Sequence, residues 1–173
     1  MIYYLGLGSN LGNRLANLQL AVNVLDLRAG KVVGVSKVYE SAPMYVINQP
    51  PFLNAVAKLE SSLDPAKLLV LTKTIEKECG RIARERNGPR ELDIDLLLAI
   101  DQGACLKSPP DSELRLPHPA MCERRFVLEP LADLDPGLIC CDGLSVAQIL
   151  RSDTIQSQKS QVFEHGVLSI HRD

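Results

Sequence analysis

The chain has 173 residues, of which 46% are hydrophobic and 23% charged, a balance that supports one domain with its own core and excludes a disordered or fibrous chain. The formal net charge is -2, so no global basic field gathers nucleic acid or an anionic membrane, and any anion must be held by a local cluster. Five cysteines (Cys79, Cys105, Cys122, Cys140, Cys141), odd in number and without a C-x-x-C, read as reduced thiols rather than as a disulfide framework.

The N-terminal "MIYYLGLGSN" has neither a basic start nor a long apolar run, and nowhere does an apolar stretch approach the roughly 20 residues that span a bilayer. A cytoplasmic chain with no membrane or nucleic-acid partner is expected. Ile2 to Gly8 reads as a strand ending in glycines. "GSNLGNR" turns the chain into a helix with Leu15, Leu18, Val22 and Leu25 on one face, and Ser9 or Asn10 is the expected cap. A valine-rich strand is predicted from Lys31 to Tyr39, then a loop over "ESAPMYVINQPP". A second alternating strand is predicted from Phe52 to Glu60. Asp64 as N-cap, Pro65 in the first turn and Gly80 as the stop delimit a helix whose apolar face is Leu68, Leu71, Ile75 and Cys79.

A basic loop, Arg81 to Pro89, leads to the strand "GPRELDIDLLLAI". The order is then β-α-β-β-α-β, and the expected fold is α+β with a ferredoxin-like core, an antiparallel sheet and helices packed on it. The remainder reads as a less regular extension with a short helix over Ser145 to Leu150. The expected domain covers residues 1–152, followed by a tail over 153–173 of undetermined order.

The chemistry concentrates around Asp93 and Asp95. In an extended chain they share one side while Leu92, Ile94 and Leu96 take the other, with about 6.6 Å between the two aspartate Cα atoms. Such a pair can converge on hard divalent cations that complete their shells with phosphate oxygens. A solvated sheet face, or carboxylates paired with arginines, would use the same D-x-D. Four arginines, Arg81, Arg84, Arg86 and Arg90, precede it with only Glu85 inside the span from Arg81 to Arg90 to oppose them, and guanidinium forks match phosphate oxygens. Taken singly, Arg84 and Arg86 read as surface charge. Arg81 and Arg90 together with the aspartates read as an anion-plus-metal site.

Phe52 and Asn54 share a strand face, a ring and an amide suited to a planar polar ligand, and Phe126 offers a second ring; each alone reads as an ordinary core or bend residue. "LPHPAMCERRF" sets His118 between prolines with Arg124 shortly after. "GLGSNLG" fails as a dinucleotide fingerprint because Leu11 stands at the third glycine, and no GK[ST] follows. That segment reads as a structural turn or a rim loop.

The segments "GSNLGNR", "YESAPMYVINQPPFLNA", "GRIARERNGPRELDIDLLL" and "LRLPHPAMCERRFVLEPL", in this order over about the first 130 residues, resemble the 6-hydroxymethyl-7,8-dihydropterin pyrophosphokinase family. The resemblance implies a ferredoxin-like fold. It also implies transfer of the β,γ-pyrophosphoryl group of ATP to the pterin hydroxymethyl group, with release of AMP, in folate biosynthesis. It assigns two Mg²⁺ ions to Asp93 and Asp95, and ATP contacts to Arg81, Arg90, His118 and Arg124, with Glu76 on the adenosine side. The pterin falls to Phe52 and Phe126 as stacking rings, Asn54 at its edge, and Ser41, Pro43 and Met44 through backbone groups. Asn87 departs from the aromatic residue the family often carries before the G-P-R turn. Competing readings are a ferredoxin-like binding module such as an RNA reader, disfavoured by 4% aromatics and negative charge, and another metal-dependent nucleotide transferase. A monomer or weak dimer acting on these two small substrates is expected.

Overall fold

The computed structural model describes residues 1–170 apart from 83, 86, 110, 142, 160 and 161, and omits the side chain of Cys141. Arg86 and His171 therefore lie outside the described residues. The fold mixes helices with a seven-stranded antiparallel sheet. Its first strand, β1 (Ile2–Ser9), lies between β4 (Phe52–Glu60) and β5 (Asp93–Asp101). The strand expected over Lys31 to Tyr39 is broken at Ser36 into β2 (Lys31–Val35) and β3 (Lys37–Ser41), which pair in succession with the same edge of β4. Ser36 causes the break by turning inward: its N–H donates to Val56 O and its Oγ accepts from Val56 N.

A hairpin strand, β6 (Ala104–Cys105), closes one side of the sheet. On the other side β9 (Val162–Val167) pairs with β3, so the described part of the expected tail supplies the outermost strand. A separate hairpin joins β7 (Ile139–Cys141) to β8 (Leu144–Ser145).

Helices α1 (Arg14–Arg28) and α2 (Pro65–Glu78) cover one face of the sheet. Leu18, Ala21, Val22 and Leu25 of α1 and Leu68 and Ile75 of α2 pack on Tyr3, Leu5, Leu53, Leu92 and Ile94. Asp64 caps α2 through Lys67 N, and Gly80 ends it at φ 90°, as the sequence predicts. The cap of α1 is Asn13, which accepts from Ala16 N. Ser9 and Asn10 do not cap it, because their side chains are engaged with the residues ahead of β5.

The opposite face carries α3 (Arg125–Leu134), α4 (Val146–Leu150) and α5 (Asp153–Gln156), packed through Val127, Leu128, Leu131, Val146, Ile149 and Ile155 on Tyr4, Val56, Leu97 and Leu98. The sequence reading leaves α3 without a helix. Pro130 inside it hides the periodicity of Val127, Leu128 and Leu131. Cys79 and Cys105 are free thiols. Cys122 departs from the expected reduced state: it is disulfide-bonded, and its sulfur also lies 3.7 Å from that of Cys140.

The close approach of the β2 turn to the end of β4 depends on Gly30. It has φ 148°, and a Cβ there would sit 2.2 Å from Glu60 O. Gly30→Ala is expected to lose more than about 2 kcal/mol of stability through clash and backbone strain, read as a lowered denaturation midpoint.

Candidate active site

The helices α3, α4 and α5 cover only part of their face of the sheet. The rest opens as a cavity of about 510 Å³ above β1, β4 and β5. Register explains its floor. Gly8 stands between Asp93 and Asn54, and Gly6 between Asp95 and Val56. Without side chains at Gly6 and Gly8, the floor between the carboxylates of β5 and the amide of β4 stays low. A Cβ on Gly6 would already press to 3.3 Å from Leu97 Cδ2. The strand glycines thus shape the cavity, a role the turn reading of "GLGSNLG" does not include.

Asp93 and Asp95 face this cavity while Leu92, Ile94 and Leu96 point into the core between sheet and helices, as the alternation predicts. A bulge follows: Tyr4 pairs with Leu98 and Leu5 with Leu96, so Leu97 and Leu98 both serve the second core. Both oxygens of Asp93 are bound, Oδ1 by Arg81 Nη1 and Oδ2 by Arg90 Nη1 at 2.9 Å. Asp95 sits deeper on the cavity floor. Burial, and after it the charge of Asp93, push its carboxyl above the ordinary range, against the pull of Lys73, His118 and Arg90.

Arg90 also lies over the Phe52 ring at 5.5 Å, and Arg124 over Tyr45 at 5.6 Å and Phe126 at 5.9 Å. Among the described residues, the Nε atoms of Arg90 and Arg124 are buried without a hydrogen-bond partner. Two guanidiniums on one cavity, each with an unspent donor, fit an anion with several oxygens. His118 is fixed by its N–H on Leu97 O, and its Nδ1 accepts from Ala120 N at 3.3 Å. Burial first, opposed by Asp95, moves its pKa below the usual value. Asn54 donates through Nδ2 to Ser41 Oγ at 2.9 Å.

The 7,8-dihydro-6-hydroxymethylpterin-pyrophosphokinase (HPPK) family model matches residues 4–136. The chain belongs to this family. A 2-amino-4-hydroxy-6-hydroxymethyldihydropteridine pyrophosphokinase of Porphyromonas gingivalis is 43% identical over 140 residues, covering 79% of this chain and 92% of that protein. The folic acid synthesis protein fol1 of Pneumocystis carinii is 42% identical over 145 residues, covering 83% of this chain but 19% of fol1, so the chain spans about a fifth of that relative. The crystal structure of Plasmodium falciparum HPPK-DHPS with pterin and p-hydroxybenzoate superposes with a TM-score of 0.69 at 15% identity, over 94% of this chain and 46% of that one, a likeness of fold.

Of the residues the HPPK resemblance assigns, Arg81, Arg90, Asp93, Asp95, His118, Arg124, Ser41, Met44, Phe52, Asn54 and Phe126 all line the cavity. Pro43 and Glu76 are not among the lining residues. Glu76 lies behind the wall at 2% exposure, where it accepts from Ile94 N, Lys73 Nζ and Arg81 Nη1. Arg84 turns away to grip Glu91 with both terminal nitrogens, at 2.9 and 2.7 Å. Lys73, Tyr45 and Gln49 line the cavity as well. Tyr45 and Gln49 lie within the quoted "YESAPMYVINQPPFLNA" but are assigned no role there, and Lys73 lies in no quoted segment.

"GSNLGNR" locks the approach to the aspartates. Asn10 Oδ1 accepts from Arg90 N at 2.7 Å and its Nδ2 donates to Gln49 Oε1 and Pro50 O; Ser9 Oγ and Asn17 Nδ2 both donate to Glu91 O. Gln49 in turn donates to Asn87 O at 3.0 Å. Asn87 has φ 61°, a left-handed conformation that asparagine adopts more readily than most residues, so this departure from the HPPK pattern suits its backbone.

Asn10→Ala should cost about 1–3 kcal/mol, because it leaves Arg90 N, Gln49 Oε1 and Pro50 O, on two segments, without their partner, and denaturation midpoints would read the loss. Glu91 is held down to about 2, mainly by its hydrogen bonds to Arg84. With the folded value depressed, its contribution to stability is present above the ordinary 4.5 and is lost as pH falls from there towards about 2. Glu91→Gln should flatten the acid decline in that window, checked by urea midpoints on either side of it.

Proposed function

We propose that this HPPK-family chain transfers the β,γ-pyrophosphoryl group of ATP to the hydroxymethyl group of 6-hydroxymethyl-7,8-dihydropterin, releasing AMP, as a step of folate biosynthesis. The observation that carries the reading is a single cavity holding the two-carboxylate strand, the unspent guanidinium donors of Arg90 and Arg124, and the ring-amide set of Phe52, Asn54 and Phe126. The strand order β5-β1-β4-β3 with two helices on one face supports a ferredoxin-like core within residues 1–152, to which the tail adds α5 and the outermost strand β9. Among the described residues no helix is long and apolar enough to cross a membrane.

The residues fit magnesium. Among the described residues no cluster of three or more His, Cys, Asp or Glu is ready to enclose an ion. Among the described residues that line the cavity, Asp93 and Asp95 are the carboxylates, so phosphate oxygens and water would complete the shell of each of two ions. Bound there, Mg²⁺ would neutralise the triphosphate and polarise the phosphorus under attack.

The chain's own residues orient and neutralise. Arg81 and Arg90 hold Asp93 from either side and lie within reach of the same cavity as a triphosphate. Arg124 brings its guanidinium to the phosphates beside His118, whose Nδ1 is taken by Ala120 N and whose Nε2 is left to donate. Phe52 and Phe126 stack on the pterin, and Asn54, its Nδ2 fixed on Ser41, reads the edge. Transfer of this kind asks mainly for alignment and charge stabilisation, so no protein base is assigned.

Incubation with Mg²⁺, ATP and the hydroxymethyl pterin should produce AMP and the pterin diphosphate; ADP, or no turnover, would refute the assignment. Asp95→Ala should reduce turnover by at least about a hundredfold with little loss of stability. Near-wild-type rates at saturating Mg²⁺ in that variant would remove the metal role of Asp95.

A further inference from the structure

Position 76 breaks the pattern of α2. Its neighbours on the buried face are Leu68, Thr72 and Ile75, yet a carboxylate stands there at 2% exposure. A buried carboxylate costs far more than a leucine unless specific partners hold it. Its partners are specific. At Asp93 to Asp95, strand β5 pairs on one side only, with β1, because β6 reaches no further than Ile100 and Asp101. The backbone of Ile94, the residue between the two aspartates, therefore faces α2 instead of a strand.

Glu76 Oε1 accepts from Ile94 N at 2.7 Å, and Lys73 Nζ donates to Ile94 O at 3.3 Å while bridging to Glu76 at 2.7 Å. One helix turn thus supplies, through two side chains, the acceptor and donor that a neighbouring strand would give. The other oxygen of Glu76 binds Arg81, which also holds Asp93.

We infer that Glu76, with Lys73, is a positioning residue for the metal site: it holds the backbone between Asp93 and Asp95 and thereby sets the direction of both carboxylates. This rests on the metal-and-nucleotide reading above. It departs from a direct nucleotide contact by Glu76, whose oxygens are taken up by Ile94, Lys73 and Arg81. Outer partners of metal ligands typically contribute about 10–100-fold to affinity.

The test is Mn²⁺ binding by electron paramagnetic resonance, in the presence of α,β-methylene ATP, for the full chain and for Glu76→Ala, Glu76→Gln and Lys73→Met, with pterin affinity and thermal midpoint measured alongside. Glu76→Ala should weaken Mn²⁺ binding by about tenfold or more and leave pterin affinity unchanged. Glu76→Gln keeps an acceptor for Ile94 and should recover most of the loss; Lys73→Met should show a smaller loss. If Glu76→Ala does not fold, the ordering of Glu76→Gln and Lys73→Met below wild type carries the same prediction. Wild-type Mn²⁺ affinity in every folded variant overturns the clamp, as does a parallel fall of Mn²⁺ and pterin affinity in step with the thermal midpoint. No Mn²⁺ binding by the wild-type chain overturns the metal reading itself, and the clamp with it.

Discussion

The structure turns on one electrostatic constraint, two carboxylates two residues apart on a strand whose other face is core. At roughly 6.6 Å and an effective dielectric constant of about 20, two unit charges repel by about 2–3 kcal/mol before any desolvation is counted. That is a large fraction of the stability of a domain this size. Asp93 is relieved by Arg81 and Arg90, one on each oxygen. Burial, and after it the charge of Asp93, raise the carboxyl of Asp95 against the pull of Lys73, His118 and Arg90. The unequal treatment leaves a site with a standing demand for positive charge.

Much of the surrounding fold serves to keep that strand where it is. On one face, α1 and α2 bury Leu92, Ile94 and Leu96, which sets the direction of the aspartates. On the other face, α3 and its successors stop short, and the glycines of β1 leave the uncovered part hollow. Ser9, Asn10 and Asn17 hold Arg90 and Glu91 by hydrogen bonds that reach 74 to 82 positions along the chain. This anchoring separates two arginines of the loop. Arg90 is held at the mouth of the strand, while Arg84, six residues earlier in the same loop, is spent on Glu91.

Local signals made β1, α1, β4, α2 and β5 legible, and the region of β2 and β3 as a single strand. Asp64, Pro65 and Gly80 bracket α2, and strict alternation over Leu92 to Leu96 sorts core from carboxylate. Most of the candidate site was legible for a related reason, since its charged and aromatic members lie in motifs whose spacing carries chemistry. Where the reading failed, a longer-range interaction decided. Ser36 splits a strand through a bond to Val56, twenty residues away, and Pro130 conceals a helix that its packing on Tyr4 and Val56 sustains. Glu76 is legible as a charged residue on a helix, but its partner Ile94 belongs to another element.

The sequence by itself determined the alternation that sends Asp93 and Asp95 to one side, the punctuation of α2, and the stock of arginines, rings and amide from which the family reading follows. These are properties of neighbours along the chain, where the pleat and the helical turn impose their own periods. Only the tertiary structure decided that Arg81 and Arg90 both close on Asp93, that Gly6 and Gly8 form a floor, and that Glu76 sits behind the wall rather than in the cavity. Those outcomes depend on strand register and on which backbone groups the sheet leaves unpaired, and both are set by contacts between residues far apart in sequence.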